Sequence, residues 1–152
     1  MQTVTKAQLW TGRILSGIAV LFLTMDGVMK FVAPPEVLQG SEALGYAADR
    51  LPIMGTLVLT GVALYLIPRT SVLGAIFLTG FLGGAVATHV RVDNPLFSHV
   101  LFPTYVAAFI WGGLLLRDAR LRVFLPFAKA RSTPVESERG ITTPHLRERT
   151  AQ

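Results

Sequence analysis

A chain of 152 residues has room for one domain. With 51% hydrophobic and only 15% charged residues, against about 25% charged in ordinary soluble domains, it lacks the polar surface a soluble fold of this size needs. The net charge of +5 falls mostly at the two ends, flanking apolar runs instead of forming a nucleic-acid-binding face, and the absence of cysteine excludes disulfides, thiolate metal sites and thiol nucleophiles.

The first apolar run covers residues 14–33 and is interrupted by Thr24, Asp26 and Lys30. A membrane-crossing helix needs about 20 mostly apolar residues, and in lipid a run of that length satisfies its backbone polar groups only as a helix. Lys6 and Arg13 ahead of it resemble the start of a secretory signal, but no small-x-small cleavage site follows, so the run is expected to stay as an uncleaved helix. A connection over residues 34–50 carries Glu36, Glu42 and Asp49 against Arg50. The second run, residues 51–67, ends at Pro68-Arg69-Thr70, where proline disfavours helix at the residue before it and Arg69 belongs at an aqueous interface. The third run, residues 71–90, therefore returns as the second arm of a short hairpin. After a connection carrying Arg91 and Asp93, the fourth run covers residues 97–116. Residues 117–125 mix cations with apolar side chains and suit an anionic membrane surface. Residues 128–152, with Pro134, Pro144, many charges and no periodicity, are expected to be a disordered cytoplasmic tail.

The fold expected from these runs is all-α: an integral membrane four-helix bundle over residues 1–127, followed by the tail. If four helices alternate, Lys6, Arg13, Arg69, Arg117, Arg120, Arg122, Lys129 and Arg131 share one side and only Arg50 and Arg91 face the other. The excess of cations on cytoplasmic segments then puts both termini in the cytoplasm, in the cytoplasmic (inner) membrane. Within the third run Gly80 and Gly84 form a GxxxG step, with Gly83 on the adjacent stripe. Small residues four apart let helix backbones approach closely, which predicts close packing inside the bundle or, through the same face, a homodimer.

Asp26 and Lys30 carry the most chemistry. Their i, i+4 spacing puts them on one helix face in the outer half of the membrane, where charges are costly and turn toward a bundle interior or a cavity. At about 1.5 Å rise per residue, His89 and Arg91 reach the same level from the third run. Tyr46 in the first outer connection and Tyr105 near the outer end of the fourth run are placed to join them. Such a cluster is a register-fixing salt-bridge network, a pocket for a small molecule or lipid headgroup, or a proton-handling group. His99 lies beside the outer loop and His145 in the tail, so neither haem nor another metal is expected at His89. No phosphate-binding, dinucleotide, zinc-protease or serine-hydrolase motif is present.

Gly12-Arg13-Ile14-Leu15, Asp26-Gly27-Val28-Met29-Lys30, Leu44-Gly45-Tyr46, Leu64 through Thr70, Leu82-Gly83-Gly84-Ala85, Thr88-His89-Val90-Arg91 and Leu116-Arg117-Asp118 together resemble the DoxX-like family over about residues 9–126. The resemblance implies a small four-helix bacterial membrane protein, and through the wider DoxX and DoxD group a link to quinone-dependent or thiol-linked oxidoreductase complexes. Without cysteine, direct thiol chemistry falls away. The function expected is a non-catalytic membrane subunit or binding protein in the lipid bilayer, with an outward-facing polar pocket at Asp26, Lys30, His89 and Arg91 for a quinone-like or small amphiphilic ligand. The alternative is a membrane subunit of a quinone-linked oxidoreductase complex, which needs a redox partner because this chain offers no electron carrier.

Overall fold

A computed structural model describes residues 5–119 and 121, and all the regular structure among them is helical. The first helix, α1, spans Lys6–Val32 and begins well before the apolar run. Thr5 explains the early start. Its hydroxyl accepts from the Gln8 amide while the Gln8 side chain accepts from the Thr5 amide, a reciprocal cap that satisfies two otherwise unpaired donors. The helix ends where Ala33 turns left-handed and Pro34 follows. The connection expected over residues 34–50 contains a short helix, α2 (Pro35–Ala43), with Pro35 at its first turn, where a missing amide hydrogen costs nothing. A single 3₁₀ turn, Ala48–Arg50, then leads into α3 (Leu51–Leu66). α4 spans Ser71–Arg91 and α5 Phe102–Arg117, preceded by a π-helical turn at Leu96–Val100.

Among the described residues, four segments are long and apolar enough to cross a membrane: Lys6–Val32, Ala48–Leu66, Ser71–Arg91 and Leu96–Arg117. They form a ring in which α1 and α4 each pack against both α3 and α5, so α1 faces α4 across the bundle. Ala19, Leu23, Val58, Val62, Tyr65, Ala75, Leu78, Leu82, Val106, Ile110 and Leu114 fill the centre. Leu21, Ile18, Leu73 and Ile76 point outward and stay exposed, an arrangement that is stable where the surroundings are hydrocarbon. The expected disordered tail lies outside the described residues.

The close helix contacts run through glycines other than the three singled out in the sequence. A Cβ at Gly12 would sit 2.9 Å from the Gly113 carbonyl oxygen, and one at Gly113 would sit 2.9 Å from the Gly12 oxygen, so α1 and α5 touch backbone to backbone. Gly27 and Gly55 do the same for α1 and α3, where a Cβ on Gly55 would lie 2.9 Å from the Gly27 oxygen. In the α3–α4 hairpin Gly74 lies against the Tyr65 backbone and Gly61 against Leu78 and Phe77. By contrast, a Cβ at Gly80, Gly83 or Gly84 would meet nothing within 4 Å, and all three glycines are exposed. Packing within the chain through the GxxxG step is therefore corrected: neither α3 nor α5 comes within 4 Å of a Cβ at these positions, which leaves that stretch of α4 uncovered.

At the end of the bundle that holds the Arg69 turn, one buried polar network ties three helices together. The Tyr65 hydroxyl donates to the Ile110 carbonyl at 2.9 Å and accepts from the Ser16 hydroxyl at 2.8 Å. The Arg117 guanidinium lies over the same phenol ring, 5.5 Å from its centroid. A buried hydroxyl costs free energy unless it is hydrogen-bonded, so Tyr65 and Ser16 meet that requirement for one another.

Candidate functional site

At the opposite end the four helices enclose a cavity of about 460 Å³. The volume falls in the range of about 300–1,000 Å³ typical of small-molecule sites. α1 contributes Phe22, Leu23, Asp26 and Lys30; α3 contributes Met54 and Leu57; α4 contributes Gly80 through Leu82, Gly84, Ala85, Thr88 and His89. Phe102, Pro103 and Val106 of α5 close the far wall, while Ser41, Leu44 and Tyr46 reach in from α2 and the turn after it. The walls are mostly apolar, with a few polar groups converging from α1, α4 and the α2 connection.

The charged pair is formed as its spacing requires. Lys30 Nζ donates to Asp26 Oδ1 at 2.6 Å, with the Lys30 side chain 14% and the Asp26 side chain 32% exposed. One ammonium hydrogen is spent on the carboxylate, and the other two are available to an acceptor in the cavity. Across from the pair, the Tyr46 and Thr88 hydroxyls lie 2.8 Å apart, and Thr88 donates to the Gly84 carbonyl at 2.9 Å. If Thr88 spends its hydrogen on Gly84, Tyr46 is the donor in the contact between the two hydroxyls. The Asn94 amide donates to His89 Nδ1 at 2.8 Å, which puts the ring's own hydrogen on Nε2.

Of the six residues proposed from sequence, the structure brings Asp26, Lys30, Tyr46 and His89 to one cavity. Arg91 and Tyr105 are not in its wall. Arg91 is exposed and donates to the Leu44 carbonyl at 2.5 Å, beside Gly45, whose φ of +81° makes the tight reversal there. It thus pins the α2 connection to the end of α4. Tyr105 is 45% exposed on the outer surface of α5, because the neighbouring positions Pro103 and Val106 take the inward face. Shared height along parallel helices brought both residues into the sequence-based cluster, and facing direction separates them.

Other neighbours were not legible in the sequence. His99, assigned to the loop, sits edge-on to His89 with ring centroids 5.8 Å apart, carried there by the π-helical turn. Thr88 is buried and bonded to Tyr46. Among the described residues no buried side-chain nitrogen or oxygen lacks a hydrogen-bond partner.

The family model of the DoxX-like family matches residues 14–113, a stretch that holds all four spans except the first residues of α1 and the last residues of α5. No curated protein and no solved structure matches the chain.

Proposed function

The chain belongs to the DoxX-like family and is a multi-pass membrane protein, and from that premise we propose that it binds a small amphiphile by its headgroup in the cavity at Asp26 and Lys30. The observation that carries this reading is an ion pair inside an apolar-walled cavity. Charges within a membrane are costly, and here the pair lies against open volume that a well-packed register-fixing bridge would not need. Because Asp26 compensates the charge of Lys30, the site favours a neutral headgroup with hydrogen-bond acceptors over an anion. A quinone-type ring, flat and bearing carbonyl oxygens, fits the remaining Lys30 hydrogens and the aromatic side chains of Phe22, Phe81 and Phe102. The protein acts in this reading as a binding protein or non-catalytic subunit of the cytoplasmic membrane. Both termini are cytoplasmic, following the distribution of Lys and Arg.

The test is purification in mild detergent, followed by mass spectrometry of the organic extract from wild type and from the Asp26→Asn/Lys30→Met double variant. A compound present near one per chain in wild type and lost from a double variant of unchanged stability supports the reading. Extracts that do not differ refute it.

A further inference from the structure

The cavity has a side opening, and the position of that opening bears on what the ligand looks like. The α3–α4 hairpin is closed at the Arg69 end. There Gly74 lies against the Tyr65 backbone, and a Cβ at Gly61 would sit 2.6 Å from Leu78 Cδ2 and 2.9 Å from Phe77 Cδ1. One to two turns further along, the same two faces continue as Leu57 and Met54 on α3 and as Gly80 and Gly84 on α4, since residues three, four and seven apart share a helix face. These four residues touch open space instead of one another. All line the cavity, Gly80 and Gly84 have nothing within 4 Å of an added Cβ, and Leu57 is 42% exposed. The hairpin is therefore a V that is zipped at one end and open at the other.

The end of the cavity that faces water is treated differently. Tyr46 is bonded to Thr88 and Arg91 to the Leu44 carbonyl, so the α2 connection is strapped across α4 at two points. Ser41 and Leu44 of that strap form part of the cavity wall. A ligand thus meets a fixed strap from the aqueous side and a gap between two apolar helices from the lipid side.

We infer that the ligand is a tailed amphiphile that enters sideways from the bilayer, with its headgroup at Asp26 and Lys30 and its hydrocarbon tail leaving between α3 and α4 over Gly80 and Gly84. The inference rests on the amphiphile-binding reading above and adds the class of ligand, a lipid-dissolved molecule with a long chain, and its route. The glycines keep the gap open: any larger side chain at these two positions projects into the space the tail needs.

Two probes with one headgroup separate the two ideas: decylubiquinone, and the tail-less 2,3-dimethoxy-5-methyl-1,4-benzoquinone. Binding of each is measured by equilibrium titration to the full chain in detergent, for wild type, Gly80→Leu, Gly84→Leu and Gly17→Leu. Gly17 is a control for added bulk, because it too has nothing within 4 Å of an added Cβ and it lies outside the cavity wall. Gly84→Leu and Gly80→Leu are expected to weaken the decyl compound by about tenfold or more, the scale on which forcing side chains into occupied space is felt, with the tail-less compound and Gly17→Leu little changed. Equal binding of the decyl compound by wild type and both α4 variants overturns the side route while leaving the headgroup site standing. Failure of wild type to bind either probe overturns both the headgroup site and the route.

Discussion

Adding one methyl group at two glycines of the same helix should move stability in opposite directions. At Gly74 a Cβ would lie 2.6 Å from Tyr65 Cα and 2.7 Å from the Leu64 carbonyl carbon. Carbon atoms pack at about 3.5–4.0 Å, so the overlap is about 1 Å. The clashing atoms are backbone and cannot rotate aside, so α3 and α4 must separate where the Tyr65 hydroxyl reaches Ser16 and Ile110. Overpacking of this kind costs about 1–3 kcal/mol, and a backbone clash belongs at the upper end. Alanine is favoured over glycine in a helix interior by about 0.5–1 kcal/mol, which leaves Gly74→Ala destabilised by about 2–2.5 kcal/mol. At Gly84 no atom lies within 4 Å, so only the favourable part survives and Gly84→Ala should be neutral or slightly more stable. Thermal unfolding in mild detergent, followed by circular dichroism, reads both variants. At about 2–4 °C per kcal/mol for a chain of this length, Gly74→Ala should melt several degrees below wild type and Gly84→Ala at or above it. If Gly84→Ala loses as much as Gly74→Ala, this face of α4 is a packing surface and not a cavity wall.

Three further outcomes are expected. Asp26→Asn and Lys30→Met should each lower stability by about 2–3 kcal/mol, somewhat below the cost of orphaning a fully buried charge, while the double variant recovers part of the loss. Single variants that melt like wild type would show that the pair is solvated. Tyr65→Phe should cost about 1–2 kcal/mol, because it leaves the buried Ser16 hydroxyl without its partner, and Ser16→Ala in the same background should recover some of it; additive losses in this double-mutant cycle would contradict the network. Alkaline-phosphatase fusions after Arg117 should be inactive and fusions at Asp93 active; the reverse pattern would invert the proposed orientation.

The four spans were legible because a membrane imposes long apolar runs whatever the tertiary packing. Their ends were less so. α1 starts at Lys6 because of the Thr5–Gln8 cap, and α2 was hidden in a polar connection too short for a clear periodicity. The Asp26–Lys30 bond was legible because an i, i+4 spacing fixes both height and facing within one helix. Between helices the spacing fixes height alone, and for that reason Tyr105 and Arg91 were drawn into a cavity whose wall they do not form. The same limit applies to glycine. A GxxxG step says that one face is narrow, and whether a neighbour occupies that face depends on the other helices. Here Gly12, Gly27, Gly55, Gly61, Gly74 and Gly113 receive neighbours, whereas Gly80 and Gly84 leave volume.

The space beside Asp26 and Lys30 is proposed to hold the head of an amphiphile. Photolabelling tests it most directly, using a decyl-tailed benzoquinone with a diazirine near its ring, illuminated with the protein in lipid vesicles and mapped by peptide mass spectrometry. Adducts are predicted on cavity residues such as Lys30, Tyr46, Phe81 and Thr88, with competition by unlabelled decylubiquinone. Adducts confined to lipid-facing residues such as Ile18, Leu21, Leu73 and Ile76, and insensitive to competitor, would contradict it.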